Sequence, residues 1–167
     1  MPGPGEVHVR LDACAICHSD ITYMDGDWGG ELPAVYGHEA AGIVQGIGED
    51  VKGLRCGVPV VVTLLRSCGD CFFCRQRQES LCETRFPLDE SSPITDQQGI
   101  PIGHGLRTGA FADEVVVHAT QVVEIPPDLP MDSAALLSCG VITGVGAVKN
   151  VAAVPAGASV VTIGMGG

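Results

Sequence analysis

Basic residues are few: nine Lys and Arg stand against twenty Asp and Glu, for a formal net charge of −11. A field of that sign repels phosphate backbones and anionic lipid heads, which argues against nucleic acid and membrane surfaces as partners. Charged residues of both signs make up only 17% of the chain, too few for a set of long solvated helices, and an all-helical fold is not expected. No apolar run reaches the roughly 20 residues that a membrane-spanning helix needs. Residues Met1 to Glu6 (MPGPGE) carry neither the basic nor the apolar region of a secretion signal. A cytosolic protein is therefore expected. There is no internal repeat. What remains is 167 residues, 46% of them hydrophobic, with 23 glycines: enough for one globular domain with a sizeable core, of a composition that suits turn-rich β structure.

Cysteine, in contrast, is plentiful. Eight cysteines without a secretion signal point to metal or redox chemistry, because disulfides do not persist in a reducing compartment. Cys68, Cys71, Cys74 and Cys82 form C-x2-C-x2-C-x7-C, a spacing that lets four thiolates of one lobe converge on a tetrahedral cation. Four ligands leave no open position, so a zinc held there would shape a lobe that has too few apolar residues to fold around a core. An iron-sulfur cluster is the rival, but ferredoxin-type runs close with a three-residue gap and Cys-Pro, whereas Cys82 follows seven residues and precedes Glu83. A nucleic-acid zinc ribbon needs a second pair about 15 to 20 residues on, and none exists. A redox dithiol or ordinary buried cysteines are the plain alternatives.

Glu6 to Ala13 (EVHVRLDA) alternates apolar and polar residues, the period of a strand with one buried face. Further β-rich segments are 40–45, 58–65, 112–118 and 121–125, separated by Gly, Pro and Asp signals, and together they suggest a small barrel. Between Cys82 and Gly103 a polar stretch with Pro87, Pro93 and Pro101 reads as a long surface loop. From Asp132 or Ser133 as N-cap, an apolar segment to about Ala153 reads as one helix or two short ones, stopped by Pro155. The tail, Ala158 to Gly167 (ASVVTIGMGG), begins like a buried parallel strand and ends in closely spaced glycines.

Three further groups sit at turns or element edges: Cys17 in C-H-S-D, His38 with Glu39 in G-H-E, and Cys139 in S-C-G. Two thiolates and an imidazole make a three-ligand zinc site with the fourth position open. Taken singly, a Cys in an apolar segment is usually core and a lone His a satisfied polar group, so spacing alone does not join them.

The order C-H-S-D, G-H-E-A-A-G, the four-cysteine lobe, C-G-V-I-T-G and a final G-x-G-G resembles the zinc-dependent medium-chain alcohol dehydrogenase family, over nearly the whole chain. The resemblance implies a mainly β fold, a GroES-like, partly open β-barrel with a zinc-binding lobe (66–84) in a catalytic domain of residues 1–143. Residues 144–167 would then be the first helix and strand of a Rossmann α/β domain, so that the chain is truncated at both ends. It implies two zinc ions, a catalytic one on Cys17, His38 and Cys139 and a structural one on Cys68, Cys71, Cys74 and Cys82. NAD or NADP would be the cofactor, with NAD favoured, and the full-length protein would be a homodimer or homotetramer.

On the same resemblance, Ser19 hydrogen-bonds the substrate oxygen and passes its proton outward, unless it is simply a helix N-cap. Asp20 orients a zinc-binding imidazole, and Glu39 is a second carboxylate behind the ligands. His18 faces the cofactor pyrophosphate, Thr143 packs beside the nicotinamide, and Gly164, Gly166 and Gly167 begin the dinucleotide fingerprint. Trp28 is either a wall of the substrate pocket or plain core. Thr22 replaces a relay histidine of some relatives, and Gly57-Val58-Pro59 departs from the usual Gly-Asp turn. With Cys17 claimed by zinc, Cys14 and Cys56 read as small core residues. The long stretch after Cys82 resembles the class I and class III branch, which makes an S-hydroxymethyl thiol adduct of formaldehyde a candidate among primary alcohol and aldehyde substrates. Two rival functions stay open: a non-enzymatic zinc-binding interaction module, and a thiol redox protein working through Cys14 and Cys17.

Overall fold

The computed structural model describes residues 1–30 and 32–164. Among these described residues, seven strands and five short α-helices follow one another as β1 (Glu6–Ala15), α1 (His18–Met24), β2 (Ala34–Val35), β3 (Glu39–Ile47), β4 (Pro59–Val62), α2 (Phe72–Arg75), α3 (Pro87–Glu90), β5 (Gly103–His104), β6 (Glu114–His118), β7 (Val122–Glu124), α4 (Met131–Ala135) and α5 (Gly140–Gly146). All five strands expected of the barrel form. β2 and β5, a parallel pair of two residues each, were not foreseen, because two residues carry no period.

The main sheet is antiparallel in the order β6-β1-β3-β4-β7. Its two edge strands are consecutive in sequence, joined only by the 3-10 turn Ala119–Gln121. Five strands about 4.8 Å apart would separate the edges of a flat sheet by about 19 Å, whereas a 3-10 turn advances only about 2 Å per residue. The sheet must therefore curl towards a barrel. Register shifts in β1 between His8 and Val9 and between Leu11 and Ala13 supply local bends. Gln121, fully buried at the seam, donates from its side-chain amide to the carbonyls of Thr63 (2.8 Å) and Arg107 (3.1 Å).

Alternation along the strands separates two packed faces. Val7, Val9, Ala40, Val44, Val60, Val62, Val115 and Val117 fill the interior. Ala41 and Val61, pointing the other way, pack against Ala134 and Ala135 of α4. This second layer matters for the site: α4 is laid along the outside of β3 and β4, and the chain leaves it towards Cys139.

The helical segment begins at Met131 behind Pro130, earlier than the Asp132 or Ser133 cap expected. It is broken at Ser138–Cys139 and ends at Val151, before Pro155. The strand expected from Ala158 does not form: 158–164 has no regular structure, and Val160, Val161 and Ile163 are exposed. A buried parallel strand needs neighbouring strands to accept its backbone hydrogen bonds, and none lies alongside among the described residues. The expected 82–103 loop does run over the surface, but holds α3 and a small bridge between Thr95 and Pro101. The Gly57 turn keeps its hydrogen bonds, with Gly57 N–H donating to Val44 (2.8 Å) and Val44 N–H to Val58 (3.1 Å). Among the described residues, no single helix is long and apolar enough to cross a membrane.

Candidate metal centres

Strand register builds the first centre. Ala15 at the end of β1 pairs with Glu39 at the start of β3, so residues just beyond those ends, Cys17 and His38, come to one edge of the sheet. Cys17 is the N-cap of α1. From one turn into that helix Asp20, fully buried, reaches back: one carboxylate oxygen accepts from the N–H of Cys17 (3.1 Å), the other from the N–H of Gly37 (3.0 Å) and from His38 Nδ1 (3.1 Å). Gly37 has φ +93°, and a Cβ there would stand 2.6 Å from the backbone nitrogen of Phe111 and 2.9 Å from the carbonyl carbon of Ala110. Only glycine fits, and it delivers both the amide that Asp20 needs and the imidazole that follows.

With Nδ1 engaged, His38 Nε2 is buried without any hydrogen-bond partner. One donor atom each from Cys17, His38, Glu39 and Cys139 lies within 4.8 Å of the others. An orphaned buried nitrogen costs about 1–3 kcal/mol, and it sits among two sulfurs and a carboxylate, the donor set that zinc takes. The residues fit the metal. Burial pushes the Cys139 thiol up to about 11, with the Glu39 carboxylate and the Cys17 sulfur adding to the rise; a divalent cation reverses that order by stabilising the thiolate. Glu39, expected behind the ligands, brings a carboxylate oxygen within 4.8 Å of their donor atoms. The adjacency of Glu39 to His38 was visible in the sequence, but not the direction of its side chain.

The second centre is local. The Cys68 and Cys74 sulfurs are 4.0 Å apart, as are those of Cys71 and Cys82, close to the edge of about 3.8 Å that zinc–sulfur bonds of about 2.3 Å give a tetrahedron. All four donors lie within 4.8 Å of one another. Backbone amides already point at them: Asp70 and Cys71 donate to the Cys68 sulfur (3.4 and 3.2 Å) and Cys68 to that of Cys82 (3.4 Å). Thr84, unforeseen because a lone hydroxyl two residues past the last cysteine carries no signal, leads these amides in bringing the Cys68 thiol down to about 6. Arg66 joins the lobe to the segment around α3. Its buried guanidinium pairs with Asp89 and lies 4.7 Å over the Phe86 ring.

The alcohol dehydrogenase GroES-like domain matches residues 3–127. The chain belongs to this family. It is 38% identical over 99% of its length to alcohol dehydrogenase-like 7 of Arabidopsis thaliana and 38% identical over 99% to a class-3 alcohol dehydrogenase of Pisum sativum. It spans about half of these relatives, 45% and 46% of their lengths. The crystal structure of an alcohol dehydrogenase zinc-binding domain protein from Burkholderia ambifaria superposes with a TM-score of 0.86 at 34% identity, covering 95% of this chain and 45% of that one. The fold is thus the mainly β, GroES-like one.

The remaining expected residues are dispersed. Ser19 is half-buried at the second position of α1, and since Cys17 holds the N-cap, the capping reading of Ser19 falls. His18 is exposed at the first position, and the Thr22 hydroxyl donates to the His18 carbonyl (3.0 Å). Trp28 is 60% exposed, edge-on to Tyr23 at 5.4 Å, which removes its core reading. Thr143 is exposed on α5, its hydroxyl 4.0 Å from the Cys139 sulfur. Gly164 has φ +85°, while Gly166 and Gly167 lie outside the described residues. Cys14 packs against the barrel core as expected. Cys56 does not: it is exposed, because it sits in the turn between β3 and β4, where neither face of the sheet covers it.

Proposed function

We propose that the chain is the metal-carrying catalytic part of a zinc-dependent dehydrogenase that moves a hydride between a primary alcohol or aldehyde and a nicotinamide cofactor, NAD in preference to NADP. Residues 1–143 form the catalytic part and 144–167 lead into a nucleotide-binding domain. The observation that carries this reading is His38: buried, aimed by Asp20, and left with an unpartnered Nε2 beside two cysteines from distant parts of the chain. Cys17, His38 and Cys139 would hold the ion, and zinc so bound supplies a Lewis acid that makes an alcohol hydroxyl far easier to deprotonate.

The chain's own residues do the rest. Asp20 fixes the imidazole's tautomer, since an ionised carboxylate at Nδ1 leaves Nε2 free as a donor to the metal. Ser19, two residues past Cys17, takes the hydroxyl proton of the substrate and passes it towards solvent at the half-buried N-terminus of α1. His18 and Thr143, both exposed, serve the cofactor side, and Trp28 the substrate side. Cys68, Cys71, Cys74 and Cys82 would hold a second zinc, a structural ion with four thiolate ligands. The class-3 relative among plants and the long stretch after Cys82 support a thiol adduct of formaldehyde within the substrate class.

Zinc quantification tests the reading. About two equivalents are expected in the wild type and about one in Cys139→Ala, with full-length protein reducing NAD on a primary alcohol, and on formaldehyde only when a low-molecular-weight thiol is added. A single equivalent in the wild type would leave a one-zinc interaction module in place of an enzyme.

A further inference from the structure

Cys139 comes to the first centre from far away in sequence, and the two sides of its turn are held very differently. On the N-terminal side α4 is anchored by buried Ala134 and Ala135, and buried Ser138 closes the turn by donating to the carbonyl of Ala135 (2.6 Å). On the C-terminal side α5 buries no residue against the barrel, and the side chain of its N-cap, Cys139, makes no capping hydrogen bond. The backbone of Cys139 is itself irregular (φ −144°, ψ −66°), so neither helix dictates where its thiol points.

One contact spans this gap. Glu39 is buried at the first position of β3, and its carboxylate accepts the N–H of Gly140 at 3.2 Å, across 101 residues of sequence. Gly140 is the first residue of α5, and its amide is one of the orphan donors that every helix N-terminus leaves. Such a charge-assisted bond, made by a buried carboxylate, is among the stronger ones available to a backbone amide.

We infer that Glu39 is a positioning residue: it ties Gly140 to the barrel and so presents the Cys139 thiol, ready placed, to the ion held with Cys17 and His38. The tie requires an oxygen that accepts a hydrogen bond at this position. It does not require the negative charge. The inference rests on the metal reading above for its purpose, but the tie itself is a property of the chain.

The test compares wild type, Glu39→Gln and Glu39→Ala in two measurements, amide exchange at Gly140 and the dissociation constant of the Cys139-dependent zinc. In Glu39→Ala, Gly140 exchange should quicken about 10-fold or more, and the dissociation constant should rise about 10- to 100-fold. Glu39→Gln keeps a carbonyl oxygen that accepts the same N–H, and should stay within about 3-fold of wild type in both. Retained exchange protection in the β1–β3 ladder shows that the variants are folded. Equal damage from Gln and Ala would overturn the tie in favour of charge, and unchanged Gly140 exchange in Glu39→Ala would overturn it outright. Faster Gly140 exchange in Glu39→Ala, spared by Gln, in a chain that binds a single zinc would uphold the tie while removing the metal reading.

Discussion

The two centres use similar donors and are built in opposite ways. The four-cysteine lobe gathers its ligands from 15 consecutive residues, 68–82, and little around them is buried: Phe72 is 66% and Leu81 55% exposed. The first centre gathers Cys17, His38 and Cys139, with Glu39 beside them, by strand register, a glycine that no other residue can replace, and α4 packed on the sheet. In the lobe, Thr84 and backbone amides bring Cys68 down to about 6, although buried Cys74 is pushed up to about 12; in the first centre, burial pushes Cys139 up to about 11. One centre is built by spacing within a short stretch of chain. The other is shaped by the fold and offers that shape to the metal.

Metal removal should break the comparison open with the largest effect. Zinc in small four-ligand sites contributes about 10–16 kcal/mol of apparent binding free energy that is also folding free energy. Chelation should therefore melt 66–84 while the β1, β3 and β4 ladders stay intact, read as loss of exchange protection in the lobe alone. Barrel strands that lose protection together with the lobe would show the two regions to be one cooperative unit. The buried pair of Arg66 and Asp89 marks where such melting should stop.

Gly37→Ala strikes the other side. A left-handed backbone costs an L-residue about 1–2 kcal/mol, and overlap with the backbone at Phe111 adds about 1–3 kcal/mol. Stability should fall by about 3 kcal/mol in denaturant unfolding, with loss of the Cys139-dependent zinc and retention of the lobe zinc. Loss of both ions in a chain that still folds would show that the centres are not independent.

How much of this was legible in the sequence follows from the same contrast. The lobe could be read from residues alone, because its ligands are neighbours in the chain and spacing is geometry. The barrel strands were legible too, since Val7 and Val9 alternate with His8 and Arg10 as one buried face demands. The first centre was not: Cys17, His38 and Cys139 are brought together by β1–β3 register and by α4, which no local pattern encodes, and only family resemblance joined them. The tie from Glu39 to Gly140 and the seam closed by Gln121 are likewise tertiary. The strand expected from Ala158 shows the converse, an apolar run that has no partner strand alongside it among the described residues.

Asp20→Asn gives the smallest and sharpest test. All three groups around the Asp20 carboxylate, the N–H of Cys17, the N–H of Gly37 and His38 Nδ1, can donate, and the two oxygens divide them. An Asn offers one acceptor oxygen and an NH2 that can only donate. Kept towards Gly37 and His38, its oxygen leaves the Cys17 amide facing a donor, which costs about 1–3 kcal/mol in a buried site and loosens the N-cap of α1. Flipped, it abandons the imidazole. Either way the Cys139-dependent zinc should bind about 10- to 100-fold more weakly, while the four-cysteine zinc binds as before. Unchanged affinity at the first centre would mean that the packing around Gly37 holds His38 by itself, and that the carboxylate adds nothing to what the fold already fixes.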